Sequence, residues 1–153
     1  MDAYADLFNG TTVVYNGITI ETTEGTTAVT AAKTFLTSQT ALATVLIRQD
    51  GMDKACKDHV EDNGPKGRIS HIGSDNSAPE DRLSRYGIWE YKFGEMIGYR
   101  FSSANDILMQ LIIGDGDSLR RDRSHIFSTD FKKISMATGS HKDLTKMQVI
   151  AFA

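Results

Sequence analysis

Hydrophobic positions along the chain follow two rhythms. In the first stretch they come as short β-branched runs. Thr12-Val13-Val14-Tyr15 and Ile18-Thr19-Ile20 flank Asn16-Gly17, the dipeptide that a type I′ turn prefers, and together they predict a β-hairpin. A bare hairpin is marginal in water, so this one is expected to pack on the rest of the domain or on another protein. From Thr27 the period lengthens. Thr27 to Gln39 reads as a helix capped by Thr27, with Val29, Ala32 and Leu36 on one stripe and Phe35 beside it. Asp50 to Asp62 reads as a second helix, with Asp50 as N-cap and Met52, Cys56 and Val60 as its buried row. Asn63-Gly64-Pro65-Lys66-Gly67 should end it, because two glycines around a proline oppose continuation.

A polar loop, Ser70 to Asn76, leads to Ser77-Ala78-Pro79-Glu80, which predicts a third helix opened by a capping box with proline in its first turn. Glu95 to Phe101 suits a strand. Ser103 with Asp106 predicts the cap of a fourth helix, with Ile107, Leu108, Leu111 and Ile112 as its apolar face and Asp115-Gly116-Asp117 as its end. Phe131 to Thr138 and Lys146 to Phe152, joined by Gly139 to Asp143, predict a C-terminal hairpin. This order of elements is satisfied by an α+β domain in which helices sandwich a small antiparallel sheet.

Composition narrows the classes. The chain has 153 residues, 40% hydrophobic and 24% charged, which suits one globular core rather than disorder. A formal net charge of -3 supplies no basic field for nucleic acid. Apolar runs fall short of a bilayer span, so no transmembrane segment is expected. Met1-Asp2-Ala3-Tyr4 lacks the basic and apolar regions of a signal peptide, and the single cysteine, Cys56, cannot form an internal disulfide. The expectation is an intracellular protein, or a secreted one if the chain is a processed form.

One run of motifs is more specific than composition. Lys57-Asp58-His59-Val60, Gly64-Pro65-Lys66-Gly67, His71-Ile72-Gly73-Ser74-Asp75, Arg82, Arg85-Tyr86-Gly87, Gly94-Glu95, Leu111-Ile112-Ile113 and Met147 to Ala153 occur in one order. With Gly87-Ile88-Trp89-Glu90 and Arg120 to Phe127, this run resembles the CAP domain of cysteine-rich secretory proteins, antigen 5 and plant pathogenesis-related proteins, in its compact microbial and protist type. The resemblance covers Thr27 to Ala153. It implies a CAP-like domain over residues 27–153, an α-β-α sandwich, with residues 1–26 as an N-terminal extension carrying the hairpin.

The resemblance also implies a cleft with two histidines and two acidic residues, which in some members holds a divalent metal. His71 stands at the first histidine and Glu95 at the first glutamate, with Met96 after it where the family has asparagine. The second acidic position falls at about Gly114, next to Asp115. Asp122 stands at the second histidine, and His125 comes three residues later, in the family's asparagine position. The cleft therefore reads as degenerate, comprising His71, Glu95, Asp115, Asp122 and His125. Arg120, Arg121 and Arg123 bring fixed positive charge that opposes a cation and competes for Asp122 and Glu95. An ion-pair network in place of a metal is the expectation, with no cofactor.

Other candidates have plainer readings. Cys56 sits on an apolar row and reads as a core thiol. Ser124-His125 lacks a Gly-x-Ser-x-Gly elbow. Asp115-Gly116-Asp117 lacks the downstream ligands of a calcium loop. His59 reads as a helix-surface residue and His141 as a turn residue with no identifiable partner. Tyr15, Ile18, Trp89, Tyr91 and Tyr99 are candidates for a partner surface, since aromatic side chains are enriched at hot spots; covering the sheet is the competing role for the aromatics. The expected function is a non-catalytic CAP-like domain that binds protein or serves as a structural subunit of a larger complex. A secreted protein that binds a small apolar ligand or sterol, and a hydrolase built on His71 and Glu95, are the alternatives.

Overall fold

The computed structural model describes residues 1–153 except Asn16, Leu42 and Thr44, and except the side chain of Ala3. In chain order the elements are α1 (Asp2–Ala5), β1 (Phe8–Asn9), β2 (Thr12–Tyr15), β3 (Ile18–Glu21), α2 (Thr26–Thr37), β4 (Ile47–Arg48), α3 (Asp50–Lys66), α4 (Pro79–Ser84), β5 (Gly94–Tyr99), α5 (Ala104–Ile113), α6 (Arg121–Ile126), β6 (Lys133–His141) and β7 (Thr145–Phe152). They group into two units: Met1–Ala41 with Leu108–Phe127, and Leu42–Ile107 with Ser128–Ala153.

In the first unit, β1, β2 and β3 form an antiparallel meander in that order. Tyr15 stands opposite Ile18, so the predicted hairpin forms, while Asn16 of its turn lies outside the described residues. Helix α2 buries Ala28, Val29 and Ala32 against Ile112 and Ile113 at the end of α5, with Tyr4, Phe8, Leu36 and Phe127 around them. This helix begins after Gly25 rather than at a Thr27 cap. The turn that leads into it is held from another segment. The Asp115 carboxylate accepts hydrogen bonds from the backbone amides of Thr23 at 2.6 Å, Glu24 at 2.7 Å and the N-cap Gly25 at 3.0 Å. A carboxylate placed at this end of the helix complements its dipole.

In the second unit the sheet order is β4-β6-β7-β5. Strands β5, β7 and β6 are antiparallel, and the two-residue β4 joins β6 in parallel. The C-terminal hairpin closes at His141 opposite Thr145. Helix α3 lies on this sheet, where Cys56 and Val60 pack with Met147, Val149 and Ala151. The helix does not stop at Asn63. It continues through Pro65 to Lys66 and ends where Gly67 turns left-handed, with the Gly67 and Arg68 amides bonded to the carbonyls of Gly64 and Asn63. A proline in a last turn sacrifices a single backbone bond, which packing can offset. Gly64 is there for proximity: a Cβ on it would lie 2.4 Å from the Ser140 carbonyl oxygen of β6.

The expected capping box at Ser77 moves by one residue. Ala78 is the N-cap of α4, and its backbone N–H is bonded by the Asp81 carboxylate at 2.8 Å. The elements that the sequence analysis did not anticipate are the short ones: α1, β1, β4 and α6.

Candidate functional site

The loop between α3 and α4 is pinned from below by side chains of α3. His59 and Asn63, one turn apart, lie on the same face, and both are fully buried. His59 Nε2 is 2.8 Å from the Ser70 carbonyl, and because a carbonyl only accepts, this nitrogen carries the proton. Asn63 Nδ2 donates to the carbonyls of Ser70 at 3.2 Å and Ile72 at 3.1 Å. Farther along, Asp62 accepts the Ser74 amide at 2.6 Å and also bonds Lys66 and the Ser74 hydroxyl. Burial of Asp62 opposes its charge, but these bonds outweigh it and hold the carboxyl well below the usual carboxylate range. The Asp75 carboxyl is pushed down to about 2 by hydrogen bonds from Ser77 and then by Arg85.

This pinning corrects the sequence reading of His59 as a surface residue. Its charged helical neighbours suggest a polar face, but the returning loop covers that face. Burial, and next the nearby positive charge of Arg82, hold the His59 pKa below the ordinary histidine value.

At the head of the loop the structure brings His71 and Glu95 together. His71 Nδ1 lies 2.8 Å from Glu95 Oε1, and Arg82 Nη2 lies 2.7 Å from Glu95 Oε2. The carboxylate accepts from the imidazole, so Nδ1 carries a proton. His71 is half exposed at 56%, whereas Arg82 and Glu95 are withdrawn, at 2% and 7% for their side chains. Arg82 also donates through Nη1 to the carbonyls of His71 at 3.1 Å and Ser77 at 2.9 Å. One guanidinium thus holds both ends of the loop and the carboxylate of β5. Sequence reasoning places Arg82 among the motif residues without giving it this role. Its i+3 position after Pro79 on a short amphipathic helix is the available signal.

Asp115, Asp122 and His125 belong to the other unit. Asp115 anchors the start of α2, as described above. Asp122 and His125 lie on α6, both half-buried. The arginines of this segment have several partners. Arg120 forms a two-pronged ion pair with Glu24 and also reaches the Gly114 carbonyl. Arg121 pairs with Asp117 at 3.2 Å. Arg123 donates to the carbonyls of Ile112 at 2.6 Å and Ile113 at 3.1 Å and lies 5.2 Å from the centre of the Phe35 ring. The arginine beside Glu95 is Arg82. Among the described residues, no group of three His, Cys, Asp or Glu side chains is placed to hold a metal ion.

The proposed surface residues separate. Ile18 and Trp89 are exposed, and Tyr91 is 87% exposed. Ile88, which the sequence analysis does not single out as a surface residue, is 93% exposed. Trp89 packs edge-on against Phe93 and donates from Nε1 to the Ser84 hydroxyl at 3.1 Å. Tyr15 and Tyr99 are half-buried. Tyr99 meets the ring of buried His141 edge-on at 5.3 Å. His141, for which spacing identifies no partner, accepts the amides of Asp143 at 3.3 Å and Leu144 at 3.1 Å, closing the β6–β7 turn.

No protein-family model and no curated protein sequence matches the chain. Two solved structures share its fold. One is an outer surface protein of Borrelia burgdorferi, with a TM-score of 0.60, 17% identity, and coverage of 82% of this chain and 84% of that one. The other is an extracellular protein containing an SCP domain from Bacillus anthracis, with a TM-score of 0.54, 17% identity, and coverage of 69% of this chain and 33% of that one. The chain thus spans about a third of the Bacillus protein. The fold is the α+β CAP-like fold, shared with an SCP domain at a level of identity that speaks to fold alone.

Proposed function

We propose that this chain is a CAP-like domain that works without catalysis, as a protein-binding or structural subunit acting through its outer surface. The observation that carries the reading is the state of Glu95. Both of its carboxylate oxygens are engaged, one by the buried Arg82 guanidinium and one by His71. A cation at Glu95 would sit beside a permanent positive charge, and a general base there would have to break a buried ion pair. The exposed apolar side chains of Ile88 and Tyr91, next to Trp89, supply the contact surface in this reading.

The test compares the tagged full chain with an Ile88→Ser/Tyr91→Ser variant in pull-downs from extract of its source cells at physiological salt. A specific partner held by the parent chain and lost by a folded variant supports the reading. A monomeric chain that recovers nothing removes its basis. Turnover of any substrate that depends on His71 or Glu95 would replace it with a hydrolase.

A further inference from the structure

The guanidinium of Arg82 is only partly accounted for. Nη1 and Nη2 make the bonds described above, whereas Nε finds no acceptor among the described residues. Arg82 is 2% exposed, so bulk solvent does not serve that N–H. A buried donor on a charged group is costly to leave unbonded. Arg82 also lines a small space of about 10 Å³, together with Ala55, Cys56, Leu83, Glu95 and Ala151 among others. That is about the volume swept by one water-sized sphere.

We propose that one internal water molecule occupies this space, accepting the Nε–H of Arg82 and donating to the Glu95 carboxylate. The chemistry of the wall selects this occupant. A cation is opposed by Arg82 and an anion by Glu95. An apolar guest is too large and would leave Nε–H dry. A neutral molecule that both donates and accepts, of one sphere's size, meets each requirement. Each carboxylate oxygen of Glu95 retains a lone pair beyond its bond to His71 or Arg82. The water thereby joins α4 and β5 at one point and completes the hydrogen bonding of the arginine that holds the His71 loop.

A crystal structure of the full chain at about 1.5 Å should show one round density peak within about 3.2 Å of Arg82 Nε. A map of that quality in which no peak lies at Nε, or in which Nε bonds a protein acceptor, overturns the proposal.

Discussion

Arg82 Nη2 and Glu95 Oε2 stand 2.7 Å apart, with both side chains almost wholly removed from solvent. A pair in this setting contributes little net stability over an apolar substitute, but it is severe to break from one side. Arg82→Met leaves Glu95 buried with His71 alone. It should cost about 3–5 kcal/mol in urea denaturation, and Glu95→Gln should cost less, because the amide still accepts from Arg82. A double-mutant cycle should return a coupling of more than about 1 kcal/mol. Additive single effects would mean that the pair does not hold the loop.

Acid should weaken the fold through His59. Its folded pKa lies below the ordinary value of 6.5, chiefly from burial. The folded protein keeps the ring neutral, while the unfolded chain takes up a proton below about pH 6.5. The unfolded state therefore binds more protons in that window. Stability is present in full above it and declines as pH falls from about 6.5 toward the lower folded value. His59→Gln, which keeps a donor for the Ser70 carbonyl, should flatten the dependence of the urea midpoint between about pH 7 and pH 5. Asp75, pushed down to about 2, acts lower, with its contribution lost only as pH falls below the ordinary carboxylate range.

Asp115→Ala removes the shared acceptor of three amides at the start of α2. The expected cost is about 2–3 kcal/mol, as for loss of hydrogen bonds to a charged group. Hydrogen exchange should localise the change, with Thr23, Glu24 and Gly25 losing protection first. Unaltered exchange at those amides would show that another group anchors them.

Two glycines offer a matched pair. Gly64→Ala would drive a Cβ against the Ser140 carbonyl at 2.4 Å, whereas the same change at Gly87 meets nothing within 4 Å. The first should destabilise by about 1–3 kcal/mol and the second by less than about 0.5 kcal/mol in parallel denaturation curves.

Cys56 should be inert toward alkylation in the native state. Burial, and next the negative charges of Glu95 and Asp53, push its thiol up to about 12. At a pH of about 8, roughly one molecule in 10,000 carries the reactive thiolate. Labelling should proceed only in denaturant, at a rate that tracks unfolding.

The sequence is legible where a residue's role is decided by its own neighbours in the chain. The Asn-Gly hairpin, the apolar stripe of α2 and the row Cys56–Val60 are of this kind, since periodicity and turn chemistry act over a few residues. It misleads where a distant segment changes the environment. His59 looks exposed on a helical wheel until the Ser70 carbonyl and its loop cover it. Pro65 looks like a stop until sheet packing carries α3 past it. Asp115 reads as a turn former, and its partners lie some 90 residues away. The His71–Glu95 contact follows from motif resemblance rather than from pattern, and Arg82, one of the motif residues, shows its linking role only in the fold.

The unit built from Met1–Ala41 and Leu108–Phe127 is discontinuous in the chain. Shortening the protein at residue 26 would discard the amides of Thr23, Glu24 and Gly25, together with the Glu24 partner of Arg120. It would leave Asp115 with its charge and no ligands from that corner. An expression design that trims the front of this protein would therefore injure a segment encoded far downstream, and any rearranged gene that keeps the unit whole must carry both pieces together.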